Sequence, residues 1–149
     1  SSDVESVFLP MTLDLGSHRE LWLKKGSEPY RPGVDQIPGT CMEYTMSDDG
    51  LAFVGEAGSA LLASRDVPLF YFGEMRHHPI RLCDNQPQNN RRPVYSWVMN
   101  NTWETNFKMD LSGFSEFSYT LWLSEETDPK KAVAELDERC FDPWALIVE

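Results

Sequence analysis

The stretch Phe114-Ser-Glu-Phe-Ser-Tyr-Thr-Leu-Trp-Leu123 alternates more cleanly than any other in the chain. Neighbouring side chains of a strand point to opposite faces, so Phe117, Tyr119, Leu121 and Leu123 share one face and Glu116, Ser118 and Thr120 the other. This pattern predicts a strand with one packed face and one wet face. Just beyond it, Asp128-Pro129 supplies an N-cap and a first-turn proline. Val133, Leu136 and Cys140 then recur at helical spacing until Asp142-Pro143 ends the run. This is the one convincing helix in the sequence.

Working back towards the N-terminus, Val94-Tyr-Ser-Trp-Val-Met-Asn-Asn-Thr-Trp-Glu-Thr-Asn-Phe107 begins as an apolar strand and ends in amides and aromatic rings. Asp84 to Pro93 is almost purely polar and reads as a mobile loop. Leu69-Phe-Tyr-Phe72 is apolar on both faces, as a central strand covered on both sides would be. Ser59 to Ala63, Glu20 to Lys24 and Val7 to Leu15 read as further strands, with Pro10 marking an edge or bulge. Cys41 to Met46 and Leu51 to Val54 flank Asp48-Asp49-Gly50, a tight-turn signal that predicts a hairpin. Pro29 to Thr40 holds too many prolines and glycines for regular structure and reads as a long fixed loop. About eight strands and one late helix argue for an all-β fold, an antiparallel β-sandwich with a C-terminal helix.

The totals narrow the function. The 149 residues are enough for one domain with a real core, spanning 1–149. A net charge of −11 would repel nucleic acid and anionic membrane, so neither is an expected partner. Cys41, Cys83 and Cys140 lie far apart without C-x-x-C spacing, which fits a reducing, cytoplasmic setting. No apolar run approaches the roughly 18 residues of a membrane span. The apolar pattern is under way by Val7, and the run Ala145-Leu-Ile-Val-Glu149 reaches the end of the sequence, so a fragment of something longer is expected.

The chain offers little catalytic chemistry. His18, His77 and His78 lack zinc-ligand spacing, and the adjacent pair would point to opposite sides of a strand. No G-x-S-x-G elbow, phosphate-cradling loop or H-E-x-x-H occurs. Asp66 and Glu74 flank the central strand as a carboxylate pair, although Asp66 before Val-Pro reads better as a turn acceptor. Asn100-Asn101-Thr102 matches a glycosylation pattern that has no meaning in a non-secreted protein. A sugar-contacting edge remains. Asn100, Asn101 and Asn106 donate and accept hydrogen bonds, Trp103 supplies a flat apolar face, and Arg91 and Arg92 lie just upstream. Trp97, Trp122 and Trp144 are further stacking candidates. An amide-locked turn with Trp103 plugging a core is the structural alternative.

Several segments together resemble the C-terminal β-sandwich region of glycoside hydrolase family 38, the α-mannosidases. They are Val7-Phe-Leu-Pro10, Asp35-Gln-Ile-Pro-Gly39, Ser64-Arg-Asp-Val-Pro-Leu69 with Gly73, and above all Tyr95 to Phe107 with Gly113 and Phe117. One departure is Thr102, where an aromatic residue is expected in the family pattern. The resemblance implies a supersandwich of the galactose mutarotase-like kind, serving as the accessory domain of a retaining α-mannosidase in mannose metabolism. It places zinc, its ligands and the nucleophile in a separate catalytic barrel, so no catalytic residue, metal ligand or cofactor is carried over to this chain. The implied partners are that barrel and a mannoside. A stand-alone carbohydrate-binding module and a structural subunit of a split hydrolase are the rival expectations.

Overall fold

The structure, a computed structural model, describes residues 5–11, 13, 15, 19–75, 93–100 and 113–140. Nine strands occur among them: β1 (Ser6–Pro10), β2 (Glu20–Lys25), β3 (Glu28–Tyr30), β4 (Tyr44–Met46), β5 (Gly50–Gly55), β6 (Gly58–Ala63), β7 (Leu69–Phe72), β8 (Val94–Asn100) and β9 (Thr120–Ser124). One helix, α1 (Pro129–Cys140), follows. The strands form two antiparallel sheets, ordered β1-β8-β7-β4 and β3-β2-β5-β6-β9. Their inner faces bury Leu21, Leu23, Leu51, Phe53, Phe70, Phe72 and Val94 between them. The expected all-β sandwich with one C-terminal helix is therefore found.

Chain segments that look like loops from composition are held by side-chain bonds. In the segment after β3, the Arg31 guanidinium meets Asp35 at 2.8 Å and Glu20 at 3.2 Å and lies 5.3 Å from the Trp22 ring centroid. These bonds from Arg31 hold the Asp35 carboxyl below its ordinary range against a smaller opposing effect of burial. The Gln36 side chain accepts from Gly33 N at 2.7 Å and donates to Cys41 O at 3.0 Å, tying the two ends of the loop together. A fixed loop was expected here, but the strand β3 inside its first residues was not. Its partner is β2, reached through a two-residue turn in which Gly26 takes a φ of 78°.

The structure departs from the sequence expectation at two further places. Asp48-Asp49-Gly50 does not close a hairpin, because β4 pairs with β7 in one sheet while β5 pairs with β2 and β6 in the other. The turn moves the chain between sheets. Ser47 anchors it by donating to Gly50 O at 2.5 Å, and Gly50 sits at φ 137°, where a side chain would collide with the Leu62 carbonyl. The packed face expected of Phe114 to Leu123 is also not found over β9, which covers only the end of that stretch. Leu121 and Leu123 lie opposite Leu62 and Ala60 but are 52% and 77% exposed, whereas Trp122 on the other face packs towards α1. Among the described residues the opposing sheet has four strands against five, and none of them covers these leucines.

The helix closes the outside of the five-stranded sheet. Asp128 caps it, its Oδ1 accepting from Lys130 N at 2.9 Å. Ala132, Val133, Leu136 and Cys140 then bury against Ala52, Val54, Leu61 and Ala63, whose small alanines let the helix approach. Among the described residues no helix is long and apolar enough to cross a membrane.

Candidate functional site

Strand β8 carries the amide-rich stretch singled out in the sequence, and its neighbours determine what that stretch meets. Directly paired residues of an antiparallel sheet share a face. One row running across all four strands is Pro10, Tyr95, Tyr71 and Tyr44. Phe8 pairs with Trp97 and Leu69 with Met46 in the next row on the same face. The intervening residues Phe70, Phe72 and Val94 belong to the core between the sheets. The outer face of the smaller sheet therefore holds eight aromatic or apolar side chains and no charge in these two rows.

The rings pack on one another. Phe8 and Trp97 stack with centroids 5.0 Å apart, and Tyr44 meets Trp97 edge to face at 5.5 Å. Tyr71 lies 5.5 Å from Phe8, also edge to face, and donates its hydroxyl to Glu74 O at 3.1 Å. Phe8, Tyr44, Tyr95 and Trp97 are half-buried, and Met46 and Met99 are half exposed. Trp97 Nε1 is buried without a hydrogen-bond partner among the described residues. A sheet layer apolar on both faces is what a position between two other layers requires.

Of the sugar-contact candidates, Asn100 is the last residue of β8, and its Oδ1 accepts from Ser6 Oγ at 3.3 Å across the β1 edge. Asn101, Trp103, Asn106, Arg91 and Arg92 lie outside the described residues, as do His18, His77, His78, Trp144 and Cys83. Asp66 accepts from Ser118 N at 2.7 Å, so it tethers the approach to β9 rather than serving its own turn. Glu74 lends its carbonyl to Tyr71. Ser64 closes the 64–69 turn by donating to Val67 O at 2.7 Å. Sequence reasoning picked out Trp97 but not the aromatic layer. Its other members, Phe8, Tyr44, Tyr71 and Tyr95, come from four different segments, and the apolar run on both faces of β7 was the only signal for it.

Elsewhere, an open groove of about 500 Å³ lies between α1 and β9, lined by Arg65, Asp66, Ser118, Thr120, Trp122 and Arg139. Its groups serve the fold. Arg139 pairs with Glu135 at 2.9 Å and covers the Trp122 ring at 5.1 Å. The Cys140 thiol beside it is pushed up to about 11, by burial first and by Asp49 second, which removes it as a nucleophile at neutral pH.

A charged cluster joins α1 to the sheet. Lys24 Nζ on β2 lies 2.7 Å from Asp137 on the helix and 4.0 Å from Asp49 in the inter-sheet turn. The hydrogen bond from Lys24 holds Asp137 below its ordinary range, while burial and then the Asp137 neighbour push Asp49 up to about 6. No group of three His, Cys, Asp or Glu that could hold a metal ion is present among the described residues. Comparison with family models, curated proteins and solved structures finds no match to this chain.

Proposed function

We propose that this chain is the C-terminal accessory domain of a retaining α-mannosidase-like glycosyl hydrolase of family 38, structural in role and itself without catalytic machinery. The observation that carries this reading is the uncharged aromatic face of the β1-β8-β7-β4 sheet. Tyr, Trp and Met are the side chains enriched where protein surfaces meet, and charge is depleted there. In this reading the face packs on the catalytic barrel, the sandwich belongs to the galactose mutarotase-like supersandwiches, and the whole enzyme is cytoplasmic. Zinc and its ligands would belong to the barrel. Strand β8 runs from the aromatic layer to Asn100 at its end, and in this reading Asn100 lies at the margin of that contact, beside the rim of the substrate cleft.

A stand-alone carbohydrate-binding module is the second reading, favoured by half-buried Tyr95 and Trp97 on the strand that leads to Asn100. Against it, Trp97 already stacks on Phe8 and takes the edge of Tyr44, while sugar stacking needs an uncovered ring face. The test compares the isolated 149-residue chain with the intact native product, using a chromogenic α-mannoside for hydrolysis and mannose oligosaccharides for calorimetry. Hydrolysis by the native product alone, with no binding by the isolated chain, is expected. Binding by the isolated chain together with an inactive native product would favour the module and overturn the proposal.

A further inference from the structure

Contacts between the sheets fix their relative placement. Tyr30 Oη on β3 meets Thr45 Oγ1 on β4 at 3.0 Å, and Tyr119 Oη just before β9 meets Ser96 Oγ on β8 at 2.8 Å. With the strand orders β1-β8-β7-β4 and β3-β2-β5-β6-β9, these contacts put β1 and β9, one edge strand of each sheet, on the same flank of the sandwich. Leu9 on β1 is 39% exposed there, and Leu121 and Leu123 on β9 are more so. Strand β9 pairs with β6 on one side, and among the described residues no strand pairs with its other side. Its sequence, Thr-Leu-Trp-Leu-Ser, holds none of the prolines, lysines or inward charges that usually blunt a sheet edge.

We propose that the free edge of β9 accepts an extended strand from another polypeptide segment, whose inward side chains cover Leu121 and Leu123. Backbone pairing along β9 would supply the register, and alternate apolar side chains would fill the uncovered shelf. The charges define the partner further. Glu116 before the strand and Glu125 after it are exposed. A second copy of this chain would bring a further net charge of −11 to the same edge. Like charges disfavour that pairing, so the occupant is a segment with alternating apolar residues and lysine or arginine at its ends. This inference does not rest on the mannosidase reading.

The test uses the full 149-residue chain and a fluorescent peptide of alternating valine and threonine with two lysines at each end, followed by anisotropy and by amide exchange of Thr120–Ser124. A control peptide carries two glutamates at each end. Saturable binding of the lysine peptide, slowed exchange along β9 and at least about tenfold weaker binding of the glutamate peptide are expected. Leu123→Glu and, separately, Leu121→Glu should each weaken binding by about tenfold or more without changing the melting temperature, because both side chains are already exposed. Equal binding of the two peptides, no binding of the lysine peptide, or a dimer in sedimentation that Leu123→Glu dissolves would overturn the proposal. The last result would assign the edge to a second copy.

Discussion

Phe8 and Trp97 face each other across the β1–β8 pairing at 5.0 Å with an interplanar angle of 27°, and this stack sits within an aromatic layer that spans the smaller sheet. Trp97 touches Phe8, Tyr44 and Tyr71, so its ring ties β8 to the other three strands of the sheet.

Trp97→Ala should lower the stability of the isolated chain by about 3 kcal/mol, the low end for aromatic truncation because the ring is only half-buried. Trp97→Phe should stay within about 1 kcal/mol of the native chain, since it keeps an aromatic ring and removes an N–H that lacks a partner among the described residues. Urea denaturation of the two variants checks both. Equal losses would show that the indole N–H matters as much as the ring.

The Lys24 cluster gives two opposite pH dependences. Asp49 has its folded value raised to about 6 from 3.8, so the folded chain holds that proton more tightly and loses stability as the pH rises between these values. Asp49→Asn should therefore stabilise the chain at pH 8, by about 1–2 kcal/mol once the lost attraction to Lys24 is allowed for, with the gain fading below about pH 5. Asp137 is lowered, so its contribution is present above 3.8 and disappears as the pH falls through its folded value. Asp137→Asn should destabilise at pH 8 and become neutral in strong acid. Melting temperatures across pH 3–8 read out both signs.

Gly50→Ala should be among the most damaging small changes. A φ of 137° is poorly open to alanine, and the added methyl would meet the Leu62 carbonyl at the inter-sheet turn. The backbone cost alone is about 1–3 kcal/mol. Gly26→Ala, also at positive φ but with open space around it, should cost less, and thermal melts of the pair separate the steric part from the backbone part.

The sequence made strand existence legible wherever apolar residues ran or alternated, as at β2, β5, β6, β7 and β8, and it made α1 legible through Asp128, Pro129 and the Val133–Leu136–Cys140 spacing. It could not assign strands to sheets. Asp48-Asp49-Gly50 has the residues of a hairpin turn, but pairing is decided by which distant strand each neighbour meets, and β4 meets β7. Alternation in Phe114 to Leu123 likewise shows two faces without showing which is covered, because that depends on the width of the opposing sheet. The aromatic layer escaped notice for the same reason. Its members are scattered along the chain from Phe8 to Trp97, and only register brings them together.

Removing the helix cap offers a check on the packing of α1. Asp128→Ala should cost about 1 kcal/mol by freeing the Lys130 and Lys131 amides, and the loss should appear in circular dichroism as fraying of the first turn.

The most direct test of the accessory-domain reading is the intact mass of the native gene product, taken by mass spectrometry or immunoblot from the source cell. A product far larger than 17.1 kDa that hydrolyses an α-mannoside is the expected result. A native product of 17.1 kDa, with no larger chain bound to it and no such activity, would contradict it.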